Sequence, residues 1–155
     1  MFPYPKLEKE FKKTYCRKME STTLYRPVGL KALELIAASD WCSFPARLSW
    51  QPIFYPVLNR EYASQIAQDW NTQDLFSGNC GIVTMFDVDQ DYLAKHEVRN
   101  VGGKIHDELW IPAEELEEFN MSIIGRIQVI DAFFGSGFIM PSDQVLQSTL
   151  SKFLK

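Results

Sequence analysis

Six side chains of the 155-residue sequence, Tyr25, Arg26, Tyr55, Tyr62, His106 and Glu108, are of types that could do chemistry together. Glu108 is the most telling, because Leu109, Trp110 and Ile111 follow it directly. A carboxylate in such an apolar run is costly to bury, since desolvation disfavours its ionised form. It is therefore expected to face either solvent or a site. Arg26 offers a forked guanidinium that gives charge and geometry at once to an anionic ligand. Tyr55 and Tyr62 present flat apolar faces with a polar tip, suited to walling a pocket. His106 stands two residues before Glu108 and so points to the same side of a strand, whereas Asp107 points away. That alternation argues against a His106-Asp107-Glu108 metal triad. Taken singly, each residue also has a plain structural use. Arg26 would be a surface or ion-paired arginine, Tyr55 and Tyr62 boundary aromatics, and His106 a half-exposed strand residue.

Other chemistries have little to work with. Cys16, Cys42 and Cys80 are odd in number and show no CxxC spacing, and His96 and His106 are the only histidines. No disulfide framework and no metal site is expected, and a reducing, cytoplasmic setting is the default. Gly102-Gly103 lacks the spacing and lysine of a phosphate loop and reads as a turn. The acidic run Glu114, Glu115, Glu117, Glu118 reads as a solvated helix face. The net charge of −4 argues against unaided binding to nucleic acid. That charge is uneven, however. Residues 1–20 carry six basic against three acidic side chains, and the other 135 carry ten against seventeen. A basic lead-in that could touch a polyanion thus precedes an acidic body. No apolar stretch reaches the roughly 20 residues that span a bilayer, so no membrane partner is expected.

The elements that must position these residues follow from hydrophobic periodicity. Leu24–Val28 reads as a strand, and Leu30, Leu33, Ile36 and Ala37 then mark one face of a helix. Ile53–Val57 reads as a second, irregular strand because it contains Pro56. Asn59 is a good cap for a helix over Arg60–Trp70, with Tyr62, Ile66 and Trp70 aligned. Gly81–Val88 alternates as a strand, and Val98–Val101 and Ile105–Ile111 are extended. Pro112 fits the first turn of a helix reaching Asn120. Ile127–Phe134 is a further strand, and Ser142 or Asp143 caps a last helix. Helices and strands mix without strict alternation, which predicts an α+β fold. The division expected is a lead-in over 1–20, a domain over 21–134 and a helical tail over 135–155. Aromatic residues make up 14% of the chain, enough for a dense core or an aromatic-walled pocket.

Three stretches carry a more specific likeness: Leu-Tyr-Arg-Pro-Val-Gly at 24–29, Pro-Ile-Phe-Tyr-Pro-Val-Leu-Asn at 52–59, and Gly-Gly-Lys-Ile-His-Asp-Glu-Leu-Trp-Ile-Pro-Ala-Glu-Glu-Leu at 102–116. They resemble a small bacterial family labelled "ADP-ribosylation/crystallin J1", and the element order resembles the ADP-ribosyltransferase fold, a compact split sheet with short flanking helices. The resemblance implies an NAD cleft lined by Arg26, Tyr55 and Glu108. Glu108 would hold the nicotinamide ribose, and Arg26 a ribose or the pyrophosphate. Tyr25 would join the cofactor site, Tyr55 and Tyr62 would wall the nicotinamide, and His106 would orient an acceptor. ADP-ribose would then pass from NAD to an acceptor of unknown kind, or to water. Pro27 follows Arg26 where the family reads the carboxamide with a backbone N–H, and proline has none. The alternative expectation is therefore a catalytically inactive ligand-binding or protein-interaction module on the same fold.

Overall fold

The computed structural model describes residues 20–154. The basic lead-in expected over 1–20 lies almost wholly outside the described residues. Ser21–Val28 forms β1, Leu30–Ala38 α1, Ile53–Phe54 β2, Arg60–Asp69 α2 and Cys80–Asp89 β3. Gln90–Leu93 (α3), Val98–Asn100 (β4), Asp107–Leu109 (β5), Ile111–Pro112 (β6), Leu116–Met121 (α4), Ile123–Phe134 (β7) and Gln144–Ser151 (α5) follow. The class is α+β, with antiparallel sheets and short helices. No helix among the described residues is long and apolar enough to cross a membrane.

β3 is the central strand, paired antiparallel with β1 on one side and β7 on the other. It is covered on both faces, which is why Cys80, Ile82, Val83, Phe86 and Val88 are all buried whatever their parity. A single residue, Val57, extends the sheet beyond β1. It bridges Tyr25 on one side and Glu108 on the other, joining the β4–β5 hairpin to the main sheet. The second strand expected over Ile53–Val57 is thus split. Ile53–Phe54 pairs with Ile111–Pro112 in a separate two-stranded sheet, and Pro56 separates that pairing from Val57.

Pro27 is tolerated inside β1 for a topological reason. In antiparallel pairing, alternate residues direct their N–H and C=O to opposite neighbours. Tyr25 directs both toward Val57, at 3.0 and 2.8 Å, so Pro27 directs its missing N–H to that same outer side. The pairing there has already ended, and the bonding to β3 loses nothing.

Each face of the sheet carries its own apolar layer. On one, Val57, Val83, Ala63 and Ala67 pack with Tyr25, Tyr62, Ile130 and Phe133 beneath α2. On the other lie Leu24, Val28, Ile82 and Phe86 with α1, α4 and α5, around the linked rings of Phe44, Phe54, Phe86 and Phe119. Leu146 and Leu150 of α5 belong to this second layer, so the helical tail is built into the same core. Asn59 caps α2 as expected, its side chain accepting from Tyr62 N at 2.8 Å. The buried face of α2 is set by Ala63 and Ala67 instead of Tyr62, Ile66 and Trp70, and Trp70 stands 70% exposed. The reason is close packing on β3, where Gly81 lies against the Ala67 backbone.

Candidate functional site

The bridge through Val57 positions most of the expected residues. Directly opposed residues in neighbouring strands share a sheet face. Tyr25, Val57 and Glu108 therefore stand in one row on the α2 side. Glu108 is buried, and each of its oxygens accepts a hydrogen bond. Tyr62 donates its phenol O–H to Oε2 at 3.0 Å, and Trp110 donates its indole N–H to Oε1 at 2.6 Å. Two donors aimed at one carboxyl fix its orientation and satisfy polar atoms that burial would otherwise leave unpaired. Burial and the bond to Glu108 together push the Tyr62 phenol up to about 12.

Around the carboxylate stand more of the expected groups. The His106 ring lies 4.6 Å from that of Tyr62, and its Nε2 is 3.1 Å from Gln65 Oε1. Tyr55 meets Trp110 edge-on at 5.8 Å. Asp107 is turned away, its carboxylate accepting from Asn100, as the strand alternation predicts. A basic residue is present too, but it is Arg99. It lies opposite Glu108 in the β4–β5 register, with its guanidinium 4.3 Å from the Trp110 ring centre. Nothing in the sequence marked Arg99, because its position depends on the register of a hairpin. Trp110 is one of the aromatics whose place in the sequence suits the wall of a cleft, whereas Gln65 had only a weak local signal, three residues on from Tyr62 along a helix.

Arg26 is not part of this group. It neighbours Tyr25 in β1, so its side chain emerges on the opposite sheet face, with Leu24 and Val28. There its guanidinium sits 4.3 Å over the Phe54 ring, and Nη1 donates to Tyr55 O at 2.8 Å. The expectation that Arg26, Tyr55 and Glu108 line one cleft is therefore corrected: the alternation of β1 parts Arg26 from Glu108. Arg26 instead lines a cavity of about 380 Å³ with Arg47, Gly29, Phe54 and Trp70. Burial, and then the neighbouring Arg47 charge, lower its proton affinity toward about 9, which leaves it a cation at neutral pH. A more open groove of about 560 Å³ between β7 and α5 contains none of these residues.

Compared with family models, with curated proteins and with solved structures, the chain matches none.

Proposed function

We propose that this protein is an ADP-ribosyltransferase-like enzyme that uses NAD as substrate, with Glu108 as the carboxylate at the nicotinamide ribose. The observation that carries the reading is the setting of Glu108: its carboxyl is buried and oriented by Tyr62 and Trp110. Each carboxylate oxygen accepts one of these bonds and keeps a second lone pair for a ribose hydroxyl. When the bond between ribose carbon and nicotinamide nitrogen breaks, the electron pair leaves with nicotinamide and positive charge develops on the sugar. A fixed negative charge in a site of low dielectric stabilises that state more than the ground state. An acceptor hydroxyl, or water, then forms the new bond to the ribose carbon and passes its proton to solvent, with His106, beside the Tyr62 ring, in the acceptor-orienting role. Tyr55 and Trp110 supply aromatic walls. Arg99 takes the cationic place that the resemblance gives to Arg26.

The second reading, a non-catalytic ligand-binding module on the same fold, is favoured by one observation: Arg26 faces away from Glu108. Incubation with NAD and measurement of released nicotinamide separates the two. The enzyme reading expects release above background that falls by about two to three orders of magnitude in Glu108→Gln, the loss typical of a transition-state electrostatic group. Background release from both proteins rejects it in favour of the binding module.

A further inference from the structure

From the Arg26 cavity we infer a second ligand site, on the sheet face opposite Glu108, for a small phosphate ester bearing a flat aromatic body. It is independent of the NAD reading. Arg26 and Arg47 both line the cavity, and among the described residues neither has a carboxylate partner. Each spends one donor on the backbone of residues 53–55: Arg26 on Tyr55 O, and Arg47 Nε on Ile53 O at 3.0 Å. A guanidinium has five N–H donors, so both keep spare donors. Two like charges in one cavity repel, and burial adds to the cost. An anion between them relieves both penalties.

The remaining titratable groups of the wall do not supply that anion. Asp74 lines the cavity, but its carboxylate already accepts from Phe76 N at 3.1 Å and Ser77 Oγ at 2.7 Å. Lys31 also lines it, adding positive charge, and pairs with Glu34 at 3.5 Å, both side chains being largely exposed. Gly29, at the mouth of α1, gives that nine-residue helix no side-chain cap, and its first turn holds no acidic residue. The positive end of α1 thus adds to the field of the two arginines.

The rest of the wall specifies what the anion is attached to. Trp70 and Phe76 line the cavity yet are 70% and 74% exposed, and among the described residues neither is stacked on another aromatic ring. Aromatic faces beside phosphate-binding cations fit a planar ring carried on a phosphate. Asn71 also lines the cavity. Its Nδ2 is bound to Ser77 Oγ at 2.9 Å, while its buried Oδ1 has no partner among the described residues. The volume lies within the range for small-molecule sites.

Calorimetric titration of the full chain with 5′-AMP and with phenyl phosphate tests the proposal, with adenosine and inorganic phosphate as partial ligands. The expected result is one-to-one binding of both esters, with each partial ligand weaker by at least about tenfold. Arg47→Ala should weaken the esters by about tenfold or more. Trp70→Ala removes an exposed ring and should weaken them about fivefold or more without lowering the melting temperature. Glu108→Gln should leave ester binding unchanged, so the fate of this site is read separately from that of the NAD reading. No binding of either ester overturns the proposal. Inorganic phosphate binding as tightly as the esters, or full affinity retained by folded Arg47→Ala and Trp70→Ala, does so equally.

Discussion

Arg26 and Glu108 lie on opposite faces of one sheet, although the chain joins their strands through the single residue Val57. Tyr25, Val57 and Glu108 form a row across the sheet, and Arg26 is one residue out of phase with it. A shift of one residue along a strand turns a side chain to the other face. The molecule therefore holds two polar centres instead of one: a carboxylate caged by Tyr62 and Trp110, and an arginine pair in a cavity. Opposite Glu108 in the β4–β5 register stands Arg99, whose guanidinium rests on Trp110.

The cage around Glu108 should be measurable as stability. Tyr62→Phe removes one donor and leaves a buried carboxylate under-satisfied, with an expected loss of about 1–3 kcal/mol. Trp110→Phe should cost a similar amount. Both donors serve the same carboxylate, so the double variant should depart from additivity. Chemical denaturation of the two single variants and the double variant gives the coupling. Strict additivity would mean that the two bonds do not act on a common group.

Alkaline pH should loosen the fold before it denatures it. The phenols of Tyr62 and Tyr92 are each raised from 10.0 to about 12, Tyr62 by burial and Glu108, Tyr92 by burial and the charges of Glu115 and Glu118. Their folded pKa values exceed their unfolded ones, so this stability is complete below pH 10 and is lost as pH rises through 12. Thermal unfolding across that range should show a falling midpoint, and a shallower fall in Tyr62→Phe. A midpoint independent of pH over that window would contradict the burial of both phenols.

At Gly81 the backbones of β3 and α2 approach closely. A Cβ there would stand 2.5 Å from Ala67 Cα and also meet the Ala67 carbonyl, both backbone atoms that cannot swing aside. Gly81→Ala should cost at least about 1–3 kcal/mol, as expected for overpacking. Because α2 also holds Tyr62 and Gln65, the lesion should raise hydrogen exchange along α2 and β5 together. Exchange raised at β3 alone would show that α2 does not brace the Glu108 cage.

The thiols should differ sharply. Cys80 is fully buried and its pKa is pushed up to about 11 by burial, whereas Cys42 is exposed. Only a thiolate attacks a disulfide reagent. In the native protein Cys42→Ser should abolish one fast modification, and Cys80→Ser should change nothing until denaturant is added. Fast modification of Cys80 in the folded chain would place it at an accessible surface.

Local chemistry was legible in the sequence. The Asn59 cap, the α1 stripe of Leu33 and Ile36, the apolar β3 and the α+β class all follow from interactions within a few residues, as does the shared side of Glu108 and His106 with Asp107 turned away. The sequence also singled out Glu108 correctly as a carboxylate that needs an explanation, because its flanks are apolar. What answers that need is not local. Tyr62 is 46 positions away and meets Glu108 only because Val57 inserts between β1 and β5. Arg99 reaches the site through hairpin register, and Arg47 joins Arg26 from an irregular loop. Trp70 looked like a core residue by helical spacing, yet the close contact of Gly81 with Ala67 turned a different face inward. Periodicity tells which side chains share a face of their own element. Which faces meet depends on strand register and the closeness of packing, and these exist only once the chain has folded.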